Sequence, residues 1–195
     1  LTTGCGSQNT ASEGRSPGIP LSISGQQTQT ASVADSSSRK TLSQFPEAVQ
    51  QLLKKANSAV VAGQNGVAIE ALSQSIGVSP DDASLFRMRA DVYVLQGENA
   101  SARVDFGTAI RLAPDHADNY NSRGYFLMSQ GLPKEAAEDF SKAIQLNPAH
   151  AAALNNRGLL ALTSQDYTSA EADFSKAIDG DRKFADAWNN RGFAR

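Results

Sequence analysis

Cysteine is nearly absent from this chain of 195 residues, which holds Cys5 alone. One thiol excludes a disulfide within the chain and any metal site made of several cysteines. The two histidines, His116 and His150, lie 34 residues apart with no third histidine, so we expect no metal site. Asp179 and Asp181 flank a glycine without the ligand spacing of a calcium loop, and this pattern predicts the end of a helix.

Basic charge and long apolar runs are also lacking. The formal net charge is −2 and the pI is about 5.7, which argues against nucleic acid as a partner. No apolar run reaches the roughly 20 residues that cross a bilayer. The chain contains neither a glycine-rich phosphate loop with a lysine nor a nucleophile with a plausible base, so we expect no cofactor and no enzymatic activity.

The N-terminal part of the chain lacks aromatic side chains and any helical period. Serine, threonine, glutamine and glycine dominate it, and such a segment buries too little apolar surface to offset the entropy lost on ordering. We therefore expect a disordered linker over residues 6–44 and a folded domain over residues 45–195, with Pro46 in the first turn of its first helix.

The folded part is built from a repeating unit of 34 residues. The tetrapeptide Asn-Asn-Arg-Gly occurs at 155–158 and again at 189–192, and Asn-Ser-Arg-Gly occurs at 121–124. The same step of 34 separates the members of an alanine column and of a phenylalanine column, which are Ala102, Ala136 and Ala170, and Phe106, Phe140 and Phe174. So many columns in register indicate a repeat array.

Each unit predicts two helices. In the unit 151–184, residues 151–164 and 167–178 each carry apolar side chains at helical spacing, and Asp166 is the expected N-cap of the second helix. One unit earlier, Gly131 is expected to end the first helix and Pro133 to open the second. We place the repeats at 49–82, 83–116, 117–150 and 151–184, with a partial repeat at 185–195.

In period and columns the chain resembles the tetratricopeptide repeat (TPR) family. The two columns that carry the likeness read Leu52, Phe86, Tyr120, Leu154 and Trp188, and Ala56, Ala90, Gly124, Gly158 and Gly192. The resemblance implies an all-α fold: a right-handed superhelical solenoid of antiparallel helix pairs. No single pair buries its apolar face alone, so the whole stack is the folded unit.

Packing and charge explain several columns. Glycine in the first helix, facing the alanine column of the second, is expected to let the two helices approach closely, and the phenylalanines are expected to fill the wedge where the next unit docks. An arginine column is followed sixteen residues later by an aspartate column, giving the pairs Arg89–Asp105, Arg123–Asp139 and Arg157–Asp173. We expect each pair to bridge the two helices of its unit, and a surface pair of this kind contributes about 0–1 kcal/mol.

The resemblance also implies that certain first-helix positions face a concave groove that binds protein or peptide partners. The candidate binding residues at these positions are Arg87, Asp91, Asn121, Tyr125, Met128, Asn155, Leu159, Leu162, Asn189 and Phe193. Asparagine is unfavourable in mid-helix, so three in register need a reason. Two reasons remain open: hydrogen bonds between neighbouring helices, or recognition of a ligand's backbone amides. A basic clamp for a terminal carboxylate is not expected, because Arg87 is the only arginine among these positions.

Residues 1–7, LTTGCGS, resemble the end of a bacterial lipoprotein signal peptide, in which a small residue precedes the cysteine that receives lipid. The resemblance implies that residues 1–5 end a signal peptide and that Cys5 is lipidated. Gly6, standing where aspartate would retain a protein in the inner membrane, implies the outer membrane. The alternative is an unremarkable thiol in a disordered tail.

These observations predict a non-catalytic adaptor that binds protein segments in its groove and is held by lipid on the periplasmic side of a bacterial outer membrane. The alternative is a soluble cytoplasmic scaffold, or the TPR region of a longer enzyme. The second possibility arises because the sequence begins without methionine and stops at Arg195, inside a repeat.

Overall fold

The computed structural model describes residues 40–195 and contains nine α-helices and no strand within that range. The helices are α1 (Glu47–Val61), α2 (Asn65–Val78), α3 (Ala83–Gln96), α4 (Asn99–Leu112), α5 (Ala117–Ser129), α6 (Pro133–Leu146), α7 (Ala151–Thr163), α8 (Tyr167–Gly180) and α9 (Ala185–Ala194). The expected all-α solenoid of helix pairs is confirmed. Each repeat contributes a first and a second helix, and α9 is the first helix of the partial repeat.

The helix boundaries follow local sequence chemistry. Gly131 has φ +73°, so it turns the chain where α5 ends, and Pro133 occupies the first turn of α6. In the next repeat Gln165 takes the same slot with φ +63°, which is strained for a residue with a β-carbon. Asp166 then caps α8, because its carboxylate accepts a hydrogen bond from the Ser169 N–H at 3.1 Å. The predictions for Gly131, Pro133 and Asp166 are confirmed.

The start of the ordered chain differs from the expectation. Pro46 is the N-cap residue of α1 and does not lie in its first turn. A short 3₁₀ helix (Leu42–Gln44) precedes it, within the segment expected to be disordered up to residue 44. Lys40 forms an ion pair with Asp82, the last residue of the first repeat, with its Nζ 2.7 Å from Asp82 Oδ2. The rest of the predicted linker, and Cys5, lie outside the described residues.

Contacts between helices define an inner and an outer side. The two helices of each repeat pack on each other, and every second helix packs on the first helix of the next repeat. First helices of neighbouring repeats also contact one another, α3 with α5, α5 with α7 and α7 with α9, whereas the second helices of the described residues make no comparable contact. The first helices therefore line the inner side of the curve, and we call the inner surface of α3, α5, α7 and α9 the groove.

The phenylalanine column forms the centre of the stack. Phe106, Phe140 and Phe174 are each at most 1% exposed. The ring of Phe106 reaches across the repeat boundary to Phe126 of α5, with ring centroids 5.5 Å apart, as expected for a wedge filled by the docking helix. Phe174 clusters in the same way with Ala194 of α9. Phe106 therefore joins two repeats directly, and Phe174 lies in a buried cluster that spans two repeats.

The glycine column has a different neighbour from the one expected. A β-carbon on Gly124 would lie 2.8 Å from Cε1 of Phe140, and one on Gly158 would lie 2.6 Å from Cε1 of Phe174. The nearest neighbour of each glycine is therefore the phenylalanine ring of the second helix and not, as expected, the alanine column. A β-carbon on Gly192 would have none of the neighbouring atoms within 4 Å. Gly192 nevertheless ends the second copy of Asn-Asn-Arg-Gly, as Gly158 ends the first.

The two copies of Asn-Asn-Arg-Gly provide a matched test of this contact. Gly158→Leu is expected to push Phe174 from its site and lower the free energy of unfolding by about 1–3 kcal/mol. Gly192→Leu places the same side chain in open space and is expected to be neutral, or stabilising by up to about 1 kcal/mol because leucine favours a helix over glycine. Denaturant midpoints of the two variants measure the difference, and equal midpoints would contradict the assigned contact.

Candidate functional site

In each complete repeat that carries an arginine of this column, the arginine forms a bidentate ion pair with the aspartate of the second helix. Arg157 Nε and Nη2 donate to the two carboxylate oxygens of Asp173, each at 2.8 Å. The pairs Arg89–Asp105 and Arg123–Asp139 have the same geometry. The predicted bridge between the two helices is confirmed. These are not surface pairs, however, because the aspartates are only 4–6% exposed, so the estimate for exposed pairs does not apply to them.

A serine column completes this connection, and the sequence analysis did not identify it. Arg89 Nη1 donates to Ser73 Oγ at 2.9 Å, and Ser141 and Ser175 accept from Arg157 and Arg191 in the same way. Each serine precedes its arginine by sixteen residues, the same interval that separates arginine from aspartate. The hydrogen bond to Asp173 raises the pKa of Arg157 above its usual value, so the guanidinium stays charged. Arg157 therefore joins α6, α7 and α8.

The asparagines form a ladder across the repeats. Asn156 Nδ2 donates to Asn121 Oδ1 at 3.1 Å, and Asn190 Nδ2 donates to Asn155 Oδ1 at 2.9 Å. All four are at most 8% exposed. Of the two open alternatives, hydrogen bonding between neighbouring helices is therefore present. The ladder step is 35 residues, from the fifth position of one repeat to the sixth of the next, so columns aligned at 34 do not reveal it.

Asn189 is the third asparagine of that column and it differs from the others. It is exposed on α9, while Asn121 and Asn155 are buried. In the two rungs, the amide oxygen of the first asparagine is engaged, which leaves its NH₂ group for another acceptor. In Asn121 and Asn155, the amide oxygen therefore serves the fold, and the NH₂ group is the end that remains for another hydrogen bond.

His150 is a buried polar connection at the edge of the groove. Its Nδ1 accepts a hydrogen bond from the Ala153 N–H at 3.2 Å and so caps α7. Its Nε2 lies 3.1 Å from Asp118 Oδ1 of the preceding first helix. Because Nδ1 accepts, Nε2 is the ring nitrogen that donates to the Asp118 carboxylate. His150 thus serves the junction between two repeats and is committed to structure.

The apolar residues of the groove are partly buried side chains that rest on the core. Val94, Tyr125 and Met128 pack against the cluster that contains Phe106 and Phe126. Burial raises the pKa of the Tyr125 hydroxyl, so this side chain is neutral. Leu159 packs in the same manner against the cluster that contains Phe174. The inner helices α3, α5 and α7 therefore each carry partly buried apolar side chains that rest on a buried cluster.

The remaining candidate residues are placed less uniformly. Leu162 is 3% exposed and belongs to the core cluster around Phe174, so it offers almost no surface to a ligand. Phe193, by contrast, is 59% exposed on α9. Arg87 and Asp91 form an ion pair one turn apart on α3, with Nη1 and Oδ2 separated by 3.7 Å. The side chain of Arg87 is 11% exposed and that of Asp91 is 36% exposed.

Within residues 40–195, no group of three or more potential ligand side chains is arranged to hold a metal ion. His116 and His150 are the N-cap residues of different helices, α5 and α7. Asp181 ends α8, where its carboxylate accepts a hydrogen bond from the Lys183 N–H at 2.9 Å, as the predicted turn requires. None of the helices described is both long and apolar enough to span a bilayer.

Several solved structures have similar folds. PilF of Pseudomonas aeruginosa is 21% identical, with a TM-score of 0.68 over 76% of this chain and 68% of that one. PilW, described as a type IV pilus biogenesis factor, is 20% identical, with a TM-score of 0.66 over 76% and 71%. The first TPR of Spaghetti, bound to the HSP90 peptide SRMEEVD, is 18% identical, with a TM-score of 0.54 over 58% and 90%. At these identities the likeness shows the fold. No curated protein sequence matches the chain.

The helix pairs, their 34-residue step and their stacking define a helical repeat protein. A family model described as tetratricopeptide repeat matches residues 53–117, 88–151 and 121–187, which together cover more than half of the sequence. The chain belongs to the tetratricopeptide repeat family. The resemblance inferred from the glycine, alanine and aromatic columns is confirmed.

The ladder predicts different roles for equivalent asparagines. Asn155→Ala removes the acceptor of the buried Asn190 amide, so we expect the free energy of unfolding to fall by about 1–3 kcal/mol. Asn189→Ala, at the exposed equivalent position, is expected to change it by less than about 0.5 kcal/mol. Chemical denaturation of the two variants tests this. Adding Asn190→Ala to Asn155→Ala is expected to cost less than the sum of the single changes, and strict additivity would argue against the rung.

Proposed function

We propose that this protein is a non-catalytic adaptor that binds a segment of another protein in its groove. The observation that carries the proposal is the set of partly buried apolar side chains on α3, α5 and α7, supported from behind by the phenylalanine core. A surface of this kind gains free energy when an apolar ligand removes it from water, and it has little conformational freedom to lose on binding. The site residues therefore act through contact, with no chemical step.

The asparagine ladder supplies a polar complement to that apolar surface. Asn121 and Asn155 have their amide oxygens engaged, and the NH₂ group of each is the remaining hydrogen-bonding group. Each NH₂ group can donate to a backbone carbonyl of a ligand. An extended segment offers such carbonyls freely, whereas those of a helix are already paired within the helix. The ladder therefore favours an extended segment, with structural and ligand-binding roles combined in one side chain.

The comparisons support a protein ligand in general terms. One structurally similar domain, the first TPR of Spaghetti, is bound to a peptide. PilW is described as a type IV pilus biogenesis factor. These relations concern those proteins, and they make protein binding the natural expectation for a chain of the same family without identifying its partner.

Photocrosslinking tests the groove directly. With benzoylphenylalanine in place of Tyr125 or Leu159, we expect ultraviolet light to trap a defined partner, identified by mass spectrometry. Val104 is the matched control, because it is 68% exposed on α4, a second helix outside the groove. Trapping that is equally efficient from Val104 would contradict groove binding. The crosslinked product from Tyr125 should also disappear when unlabelled partner segment is added in excess.

We further propose that the protein is anchored in the bacterial envelope by lipid on Cys5. This part rests on the resemblance of residues 1–7 to a lipoprotein processing site, where Gly4 precedes the cysteine. The described helices α1–α9 contain no membrane span, so a covalent lipid is a means by which such a domain would be held at a membrane. Each buried methylene of an acyl chain contributes about 0.8 kcal/mol, and two or more chains give stable anchoring.

Metabolic labelling tests the anchor. When the gene is expressed with its own upstream region in a bacterium fed an alkyne fatty acid, we expect label on the parent protein, and none on the Cys5→Ser variant. The parent is also expected in the membrane fraction, and the variant in the soluble fraction. Absence of label from the parent would exclude lipidation and favour the alternative, a soluble scaffold, without affecting the groove proposal.

A further inference from the structure

Three inner helices carry the same pair of side chains one turn apart. On α5, α7 and α9 an asparagine occupies the fifth position and a large, mainly apolar side chain occupies the ninth: Asn121 and Tyr125, Asn155 and Leu159, and Asn189 and Phe193. Residues four apart lie on the same face of a helix. Each of these helices therefore offers the groove one amide next to one apolar surface, and this arrangement recurs once per repeat.

The buried asparagines of this column offer donors to the groove. The oxygen of Asn121 accepts a hydrogen bond from Asn156 of the next repeat. The oxygen of Asn155 accepts one from Asn190 in the same way. Among residues 40–195, neither Nδ2 atom belongs to the buried polar side-chain atoms that lack a partner. The NH₂ groups are therefore the ends that face the groove, and a ligand laid along it meets a donor at each repeat.

The distance between these donors fits one ligand conformation. The first helices of neighbouring repeats pack directly on each other, and the axes of packed helices lie about 8–10 Å apart. A polyproline II helix has three residues per turn and rises about 3.1 Å per residue, so the same face of the ligand returns after about 9.3 Å. A β-strand presents the same face every second residue, after about 6.6–6.8 Å, and would lose about 1–3 Å of register at each repeat. The spacing therefore favours polyproline II over a β-strand.

Taking binding in the groove as a premise, we propose that the ligand is a proline-rich segment in the polyproline II conformation, laid across α5, α7 and α9 with one ligand turn per repeat. Every third carbonyl accepts a hydrogen bond from an asparagine NH₂ group, and every third side chain rests on a side chain of the ninth position. A polyproline II segment has no internal hydrogen bonds, so all its carbonyls are open to such donors. On α3 the two positions hold Arg87 and Asp91, so the contact is confined to three helices and to about nine ligand residues.

Proline suits this surface in three ways. The amide oxygens of Asn121 and Asn155 are already engaged, and proline has no backbone N–H that would need an acceptor. Its fixed φ also preforms the conformation, so less conformational entropy is lost when the segment binds. Tyr125 is partly buried and Phe193 is 59% exposed, and proline-rich segments dock in grooves lined by such aromatic side chains.

Three labelled nonapeptides test the conformation. All are capped, carry fluorescein and contain leucine: three copies of Leu-Pro-Pro, three copies of Leu-Gly-Gly, and alternating leucine and threonine. The first is preformed polyproline II, the second keeps the leucine spacing in a flexible chain, and the third has the two-residue period of a β-strand. Fluorescence anisotropy with the purified protein is expected to show the Leu-Pro-Pro peptide binding about tenfold more tightly than either of the others.

The peptide series separates failure of this inference from failure of the groove. An alternating peptide that binds as tightly as the Leu-Pro-Pro peptide would overturn the inference and leave the groove proposal standing. Equal binding of the Leu-Gly-Gly peptide would do the same, because proline would then contribute nothing. If none of the three binds, the inference also fails, and crosslinking from Tyr125 and Leu159 decides the groove proposal by itself.

Two matched variants locate the contact. Asn189→Ala removes an exposed amide of the groove and is expected to weaken binding of the Leu-Pro-Pro peptide about twofold to tenfold. Asn99→Ala makes the same change at the exposed start of α4, a second helix outside the groove, and is expected to have no effect. Equal affinities of these two variants would overturn the placement across α9. Tyr125→Ala is expected to weaken binding as well, and unchanged affinity there would show that the peptide lies elsewhere, so that the inference and the groove proposal both fail.

Discussion

In the third and fourth repeats, the contact between a glycine of the first helix and a phenylalanine ring of the second determines how closely the two helices pack. In the fourth repeat the ring of Phe174 occupies the space that a β-carbon on Gly158 would need. The same ring lies in one buried cluster with Ala194 of α9, the first helix of the following repeat. One contact therefore sets both the spacing within a repeat and the docking of the next. The distance between the two helices of a repeat in turn determines where the side chains of the first helix lie on the inner surface.

Burying such close interfaces also buries polar groups, and the chain pairs them within the repeat array. Arginine bridges serine and aspartate on the helices that flank it, and asparagine bridges asparagine one repeat later. An unpaired buried polar group costs about 1–3 kcal/mol, so a slip of one repeat against another would break several bonds at once. These connections make the register specific, and they withdraw most charges from the groove. The described side chains of the inner helices that rest on the core are largely apolar.

Sequence periodicity was enough to predict the repeats, the helix pairs, and the pairing of Arg157 with Asp173. It failed where contacts do not follow the repeat step. The hydrogen bonds between asparagines join residues that are 35 apart. Columns aligned at a step of 34 therefore do not predict Asn156 and Asn190 as the partners of Asn121 and Asn155. The serine partners were not predicted, because a neutral serine sixteen residues before each arginine carries no charge that would mark it as a partner. The neighbour of Gly158 was assigned to the alanine column because spacing alone cannot tell which side chain on the opposing helix turns inward.

The groove is harder to predict for a reason that lies in the fold itself. The same residue type recurs at equivalent positions of successive repeats when each of those positions has the same surroundings. In a stack of repeats, the positions with the same surroundings are the interior ones. The ninth position of the first helices reads Asp91, Tyr125, Leu159 and Phe193, an acid followed by three large side chains of different shape. Such variation is expected where each copy meets a different part of one ligand, because a ligand has no period of 34 residues to match. The positions that make the family recognisable are thus those least informative about the partner. Under the proposed function, the irregular column is the one that selects the ligand.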